Sequence, residues 1–258
     1  MKKIVLLFML LLAVSLSACS VPPTPAPEPA APPAPTNTPV PPATETPTPI
    51  PPTSTPEPSP TPDPLLFRDE FDGSLGEGWQ WLREKPQAWS LTNNPGWLEI
   101  IARPGYVSKG NLDNQFMRPI PEGNFELETK IKFKPVGDFQ IAGLLIYESP
   151  ANFIQFGRAF CDYPQCANDG FYMDVISGGK MLPENFAVAA PATDTVYLRL
   201  RREGDTYSSY ASENGQEWKM IGTQNSPMNP LFIGLVAGQT WSAPQAAQFD
   251  YFVVNALP

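Results

Sequence analysis

No histidine occurs anywhere in the 258 residues. That excludes Ser-His-Asp and Cys-His catalysis, HExxH zinc chemistry and histidine-supported metal sites. Positive charge is scarce: 17 Lys and Arg stand against 26 Asp and Glu, a formal net charge of −9 at pH 7. No basic cluster interrupts this balance, which argues against nucleic acid or an anionic membrane surface as a partner. Long apolar runs are missing as well. The longest, Ile4 to Val14, is too short to span a bilayer stably. Cysteine is limited to Cys19, Cys161 and Cys166.

The apolar run belongs to the opening MKKIVLLFMLLLAVSLSACS. Two lysines, an apolar stretch and small residues make a secretory signal. It ends in Leu16-Ser17-Ala18-Cys19, which resembles the lipobox of bacterial lipoproteins. The resemblance implies removal of residues 1–18 and diacylglyceryl attachment to the Cys19 sulfur. One acyl chain binds only marginally, whereas two or more hold firmly. Residues 21–64 then carry 20 of the chain's 34 prolines and no Lys, Arg, Gly or aromatic residue. Such a composition cannot bury enough apolar surface to offset backbone ordering. Residues 19–64 therefore read as a lipid-anchor cysteine followed by a disordered, extended Pro/Thr stalk. The expected location is a bacterial cell envelope, with the remaining domain held outside the cytoplasm.

That domain, residues 65–258, has 15 basic and 22 acidic side chains, a formal net charge of −7. Its apolar residues alternate in short runs between Gly, Pro, Asn and Asp, and no convincing helix appears. In Phe125-Glu-Leu-Glu-Thr-Lys-Ile-Lys-Phe133, Phe125, Leu127, Ile131 and Phe133 point one way and the charges the other. This is a half-buried strand. Residues 140–148 and 231–236 are more uniformly apolar, as central strands tend to be. Residues 195–223 read as a three-stranded meander with a tight turn at Asn214-Gly215, where both positions favour positive φ. Leu198 and Leu200 would face the core, with Tyr197, Arg199 and Arg201 opposite. About a dozen strands with no helices argue for a β-sandwich or jelly roll.

An ordered series of segments strengthens this: DEFDG (69–73), WQWLRE (79–84), GNFELETK (123–130), DFQIAGLLIY (138–147), NFIQFGR (152–158), YLRLRREGDTY (197–207) and ENGQEW (213–218). Together they resemble the concanavalin A-like domain at the C-terminus of bacterial β-xylosidases and in related stand-alone proteins. The resemblance implies two curved antiparallel sheets in a jelly roll, carbohydrate recognition, and often a structural calcium ion. Glu70, Gly123 through its carbonyl and Asp250 are the positions it marks for calcium. Asp250 on the solvated side of its strand is the alternative.

Jelly rolls of this class include retaining glucanases, which need two carboxylates roughly 5 Å apart. The glucanases resembling this fold place them on one strand as E-x-D-x-x-E. Here Glu126-Leu-Glu128 is followed by Ile131 at the third position, and the alternation with Lys130 and Lys132 matches an ordinary solvated face. The reading is thus non-catalytic binding of a polysaccharide or glycan, with a glycoside hydrolase or a protein-interaction domain as alternatives. Partners would be that glycan, the membrane reached through lipidated Cys19, and a glycosidase or transporter of unspecified identity.

For the sugar itself, Trp79, Trp81 and Arg83 form one stripe on a short strand. Two rings and a guanidinium suit a sugar face, but the same rings would also serve to cover one end of the barrel. Gln140, Tyr147, Gln155, Arg158, Tyr172, Asp174, Arg199 and Arg201 are further candidates near a concave face. Each also reads as an ordinary cross-strand pair or exposed residue. In C-D-Y-P-Q-C, Cys161 and Cys166 flank a proline, a spacing that a small disulfide loop can close in an oxidising compartment.

Overall fold

The computed structural model describes residues 64–183, 186–241 and 243–258. The signal, Cys19 and the stalk lie outside them. The strands run in chain order as β1 (Leu65–Asp69), β2 (Gln80–Leu82), β3 (Trp89–Ser90), β4 (Leu98–Ala102), β5 (Gln115–Pro119) and β6 (Phe125–Lys132). Next come β7 (Ile141–Ser149), β8 (Asn152–Cys161), β9 (Asn168–Ser177), β10 (Lys180–Met181) and β11 (Phe186–Ala189). The series ends with β12 (Thr195–Glu203), β13 (Thr206–Ser212), β14 (Lys219–Asn225), β15 (Phe232–Gly238) and β16 (Gln245–Ala256). Among the described residues, two single-turn 3₁₀ segments, Pro86–Ala88 and Val107–Lys109, interrupt them.

The strands form two eight-stranded antiparallel sheets. The first has the order β14-β13-β12-β6-β16-β4-β3, and β1 shares the free flank of β16 with β4. The second has the order β10-β9-β8-β7-β15-β5-β2, with β11 also on β9. This is the antiparallel jelly-roll sandwich that the alternation calls for. Phe125, Leu127 and Ile131 of β6 and Leu198 and Leu200 of β12 are fully buried between the sheets. They meet Ala142, Leu144 and Ile146 of β7 and Phe156 of β8 from the other layer. Burying one such side chain is worth about 1.5–3 kcal/mol.

β7 is buried on both faces for two different reasons. Its inward residues join the main core, while Leu145 and Tyr147 on the outer face pack with Val107 and Leu112 of the loop before β5. The Asn214-Gly215 turn is wider than a two-residue hairpin. Only Gly215 has positive φ, at 74°. The Asn214 side-chain oxygen accepts from the amides of Gln216 and Glu217, both at 2.9 Å. That local bonding holds an open loop in place of a tight turn.

Candidate functional site

The tryptophan stripe covers one end of the sandwich. Trp79 stacks on Phe116 with ring centroids 4.0 Å apart. Its indole N–H donates to the Asp69 carboxylate at 2.8 Å. Trp81 lies 4.2 Å from Phe116 and 4.9 Å from Trp89. The ring faces are therefore taken by neighbours from β5 and β3. Arg83 leaves the strand with φ +60° and sits 3.5 Å from Asp113, away from both indoles. No open Trp-Arg platform forms here.

The other sequence candidates divide into groups. Arg199 and Arg201 lie on the outer face of the first sheet. There Arg199 bridges Glu128 at 2.6 Å and Glu126 at 3.3 Å and stacks 3.8 Å from the Trp218 ring. Arg201 pairs with Glu126. Arg158 is fully buried and takes both oxygens of Asp169 at 2.7 Å. Tyr147 is packed beneath the loop carrying Val107 and Leu112. None of these four bonds to the Gln155–Asp174 pair that stands next to Tyr172, and Gln140 is buried in the turn before β7.

The calcium set does not converge. β16 places Ala256 beside Phe125 and Phe252 beside Asp69. Gly123 thus lies past one end of the strand, while Glu70 and Asp250 lie toward the other, about 20 Å away at ~3.3 Å per residue. Glu70 is paired with Arg68, and Asp250 holds the Lys130 ammonium at 2.7 Å. Among the described residues no cluster of three or more Cys, Asp or Glu is placed to hold a metal ion. These three positions do not fit one calcium ion, whose ligands stand at about 2.3–2.6 Å.

A different set of groups meets on the outer face of the second sheet. Register aligns Leu145, Gln155 and Asp174 across β7, β8 and β9, and Gly143, Gly157 and Tyr172 in the adjacent row. The glycine row has a steric cause: a Cβ on Gly143 would stand 2.1 Å from the Phe156 carbonyl oxygen. Bare backbone there leaves a shallow floor. Beside it opens a hollow of about 100 Å³ lined by Ile141, Ala159, Tyr172, Asp174, Gln239 and the bonded Cys161–Cys166 pair.

Phe139, Phe160 and Tyr172 line this hollow, and the loops that carry its Phe139 and Gln239 bear two further ring pairs. Phe139 lies 6.0 Å from Tyr163, and Trp241, two residues beyond Gln239, lies 5.6 Å from Tyr106. Trp241 is 68% exposed and Tyr163 51%. The rim is fixed by buried polar contacts. Gln140 accepts the amides of Val136 and Gly137 at 2.7 and 3.1 Å and donates to the Ala243 carbonyl at 3.1 Å. It thereby ties the Phe139 loop to the Trp241 loop. Phe139 and Gln239 both adopt left-handed backbone, at φ +64° and +60°. Non-glycine residues bear that conformation only where their surroundings enforce it, and such strain concentrates at functional sites.

The polar end of the hollow is unusual. Gln155 donates to Asp174 at 2.8 Å, yet its own side-chain oxygen is buried with no partner among the described residues. Burial pushes the Asp174 carboxyl above its ordinary range, opposed by that Gln155 hydrogen bond. Burial raises the Tyr172 hydroxyl in the same way. Open rings next to a few uncharged or weakly charged donors and acceptors suit a neutral, polyhydroxylated ligand. Asp174 is the one carboxylate among the described lining residues, whereas retaining glycosidases need two. Trp241 escaped the sequence reading because it stands in a loop, Gln239-Thr-Trp-Ser-Ala-Pro244, where strand alternation sorts nothing.

Comparison with known proteins places this geometry in context. The family model described as the beta xylosidase C-terminal concanavalin A-like domain matches residues 68–255. A xylan 1,3-beta-xylosidase from a Vibrio species is 27% identical over 208 residues, 72% of this chain and 37% of the relative. The chain thus spans well under half of that relative's length. Among solved structures, the GH43 protein BlXynB from Bacillus licheniformis superposes with a TM-score of 0.67 at 20% identity, covering 74% of this chain and 39% of that one. A xylan beta-1,4-xylosidase from Bacillus halodurans gives 0.63 at 20% identity, covering 79% and 41%. With the family model spanning nearly the whole folded part, the chain belongs to the β-xylosidase C-terminal concanavalin A-like domain family.

Proposed function

We propose that this domain binds a polysaccharide or glycan without cleaving it, at the aromatic-rimmed hollow on the second sheet. The lipid on Cys19 and the Pro/Thr stalk would present it at a bacterial envelope. The observation that carries the reading is Trp241, an indole 68% exposed against Tyr106 on a loop pinned by buried Gln140. Such a ring offers its face to the C–H side of a sugar, and Asp174 and Gln239, which line the hollow, supply hydrogen bonds alongside. The hollow is too small to enclose a ring and suits one edge of a sugar in a longer chain. Relatives named for xylan make xylan the first polymer to test.

Affinity gel electrophoresis of the whole chain through xylan, and through a panel of other soluble polysaccharides, is the direct measurement. Retarded migration is expected on at least one polymer. Trp241→Ala should weaken it by about tenfold or more, equivalent to ~1.4 kcal/mol. Trp81→Ala is not diagnostic, because that ring is structural. Unretarded migration on every polymer by a folded protein would overturn the reading.

A further inference from the structure

The margins of the two sheets meet along one side of the sandwich. Among the described residues, β14 ends the first sheet with β13 as its one ladder partner, and β11 flanks the second with β9 alone. Where they touch, the Phe186 ring lies on Gly222, and a Cβ there would sit 2.2 Å from the ring. That contact closes the seam. Toward the 213–218 loop the seam opens into a cleft of about 480 Å³, within the usual range of ~300–1,000 Å³ for ligand pockets.

The cleft is built, not incidental. Its floor is apolar, made by Phe171, Val188, Ala211 and Ile221. One wall is the Ala190–Pro191 segment, held from behind by Arg158, whose buried guanidinium donates to the Pro191 carbonyl at 3.2 Å. A guanidinium is expensive to bury, and this one fixes the wall before any ligand arrives. At the mouth stand Glu213, Glu217 and Lys219. Among the described residues neither carboxylate has a hydrogen-bonding or ion-pair partner.

We propose that this cleft docks an extended segment of a partner protein, rich in Lys or Arg alternating with small apolar residues, as an added strand along the free edge of β14. An unpaired edge offers main-chain hydrogen bonds to such a segment. Alternate side chains of a strand point to opposite faces, so one set drops onto the apolar floor while the other reaches Glu213 and Glu217. The domain's net charge of −7 steers a basic segment toward it. A sugar finds no stacking ring here, because Phe171 is only 5% exposed. The site is separate from the aromatic-rimmed hollow and does not depend on it.

The test uses the isotope-labelled whole chain and an acetylated, amidated peptide alternating lysine and valine. Amide shifts are expected at 188–190 and 211–221. Glu213→Gln with Glu217→Gln should weaken binding about tenfold, as loss of two partly exposed ion pairs implies. Ala189→Trp changes an exposed residue at the mouth; it should abolish peptide binding and leave the rest of the amide spectrum unchanged. A glutamate–valine peptide should not bind. Three results would overturn the proposal: no peptide binding, shifts scattered over the acidic surface that survive Ala189→Trp, or cleft shifts produced by xylo-oligosaccharide in place of the peptide.

Discussion

Replacing Asp69 by alanine removes a single acceptor that three donors share. Its carboxylate accepts from the Phe71 amide at 2.9 Å, the Gly76 amide at 2.8 Å and the Trp79 indole at 2.8 Å. Hydrogen bonds to a charged group are worth about 1.5–3 kcal/mol each, but lost partners that reach water recover part of this. Gly76 is exposed and recovers most of it, and half-buried Trp79 recovers some. Phe71 is fully buried, so its amide is stranded. The sum is about 3–4 kcal/mol, a fall in Tm of roughly 10 °C for a domain of this size. Asp69→Asn keeps an acceptor and should lose about half as much. Urea denaturation followed by tryptophan fluorescence measures the cost, and near-UV circular dichroism reports the order of Trp79. A loss below about 1 kcal/mol with unchanged near-UV signal would refute the claim that this carboxylate fastens the end of the sandwich.

Arg158→Met should cost about 3–5 kcal/mol in the same denaturation assay, because Asp169 and the loop carbonyls lose a buried partner; a loss under 1 kcal/mol would show the loop held by other means. Asp174 gives a pH signature. Its carboxyl is raised in the fold, so the native state holds a proton more tightly than the unfolded chain. Stability from this group is present at low pH and is lost as pH rises from the unfolded value of about 4 through the raised native one. Asp174→Asn should therefore flatten the stability profile across that window and raise stability at neutral pH, and equal profiles for the two proteins would contradict it.

Much of the fold was legible because alternation is visible wherever one face of a strand meets water. β12 follows the expected pattern residue by residue, and β6 departs from it at Glu126, which was expected on a solvated face and is buried beside Arg199 and Arg201. β2, β3 and β10 are two or three residues long, too short to carry a period. Alternation correctly put Trp79 and Trp81 on one side, but it does not say which side is covered. That was decided by Phe116 and Trp89, distant in sequence and adjacent in space. Arg83 left the stripe because its backbone turns to positive φ at the strand's end. The rim of the hollow was hidden for the opposite reason. Phe139, Tyr163 and Trp241 all stand outside the strands, where rings have no periodicity and exposure depends on how loops are tied. A tryptophan in a loop closed by Pro244, amid small and polar residues, was nonetheless a signal, since loops on a rigid scaffold carry recognition.

The two outer faces of the sandwich show why polarity alone does not locate a site. The first sheet's face carries charged groups and rings of its own, yet these are already committed. Arg199 is shared by two glutamates and covered by Trp218, and the Tyr251 hydroxyl donates to Glu128 at 2.6 Å. Burial and that carboxylate together push the Tyr251 hydroxyl far up. A ligand arriving there would have to displace bonds as good as those it could form, so its net gain is small. The second sheet's side leaves an acid held toward its neutral form on Asp174 and an open indole on Trp241. Groups left wanting are what a ligand can satisfy without first breaking anything, and this puts recognition on the second of the two faces.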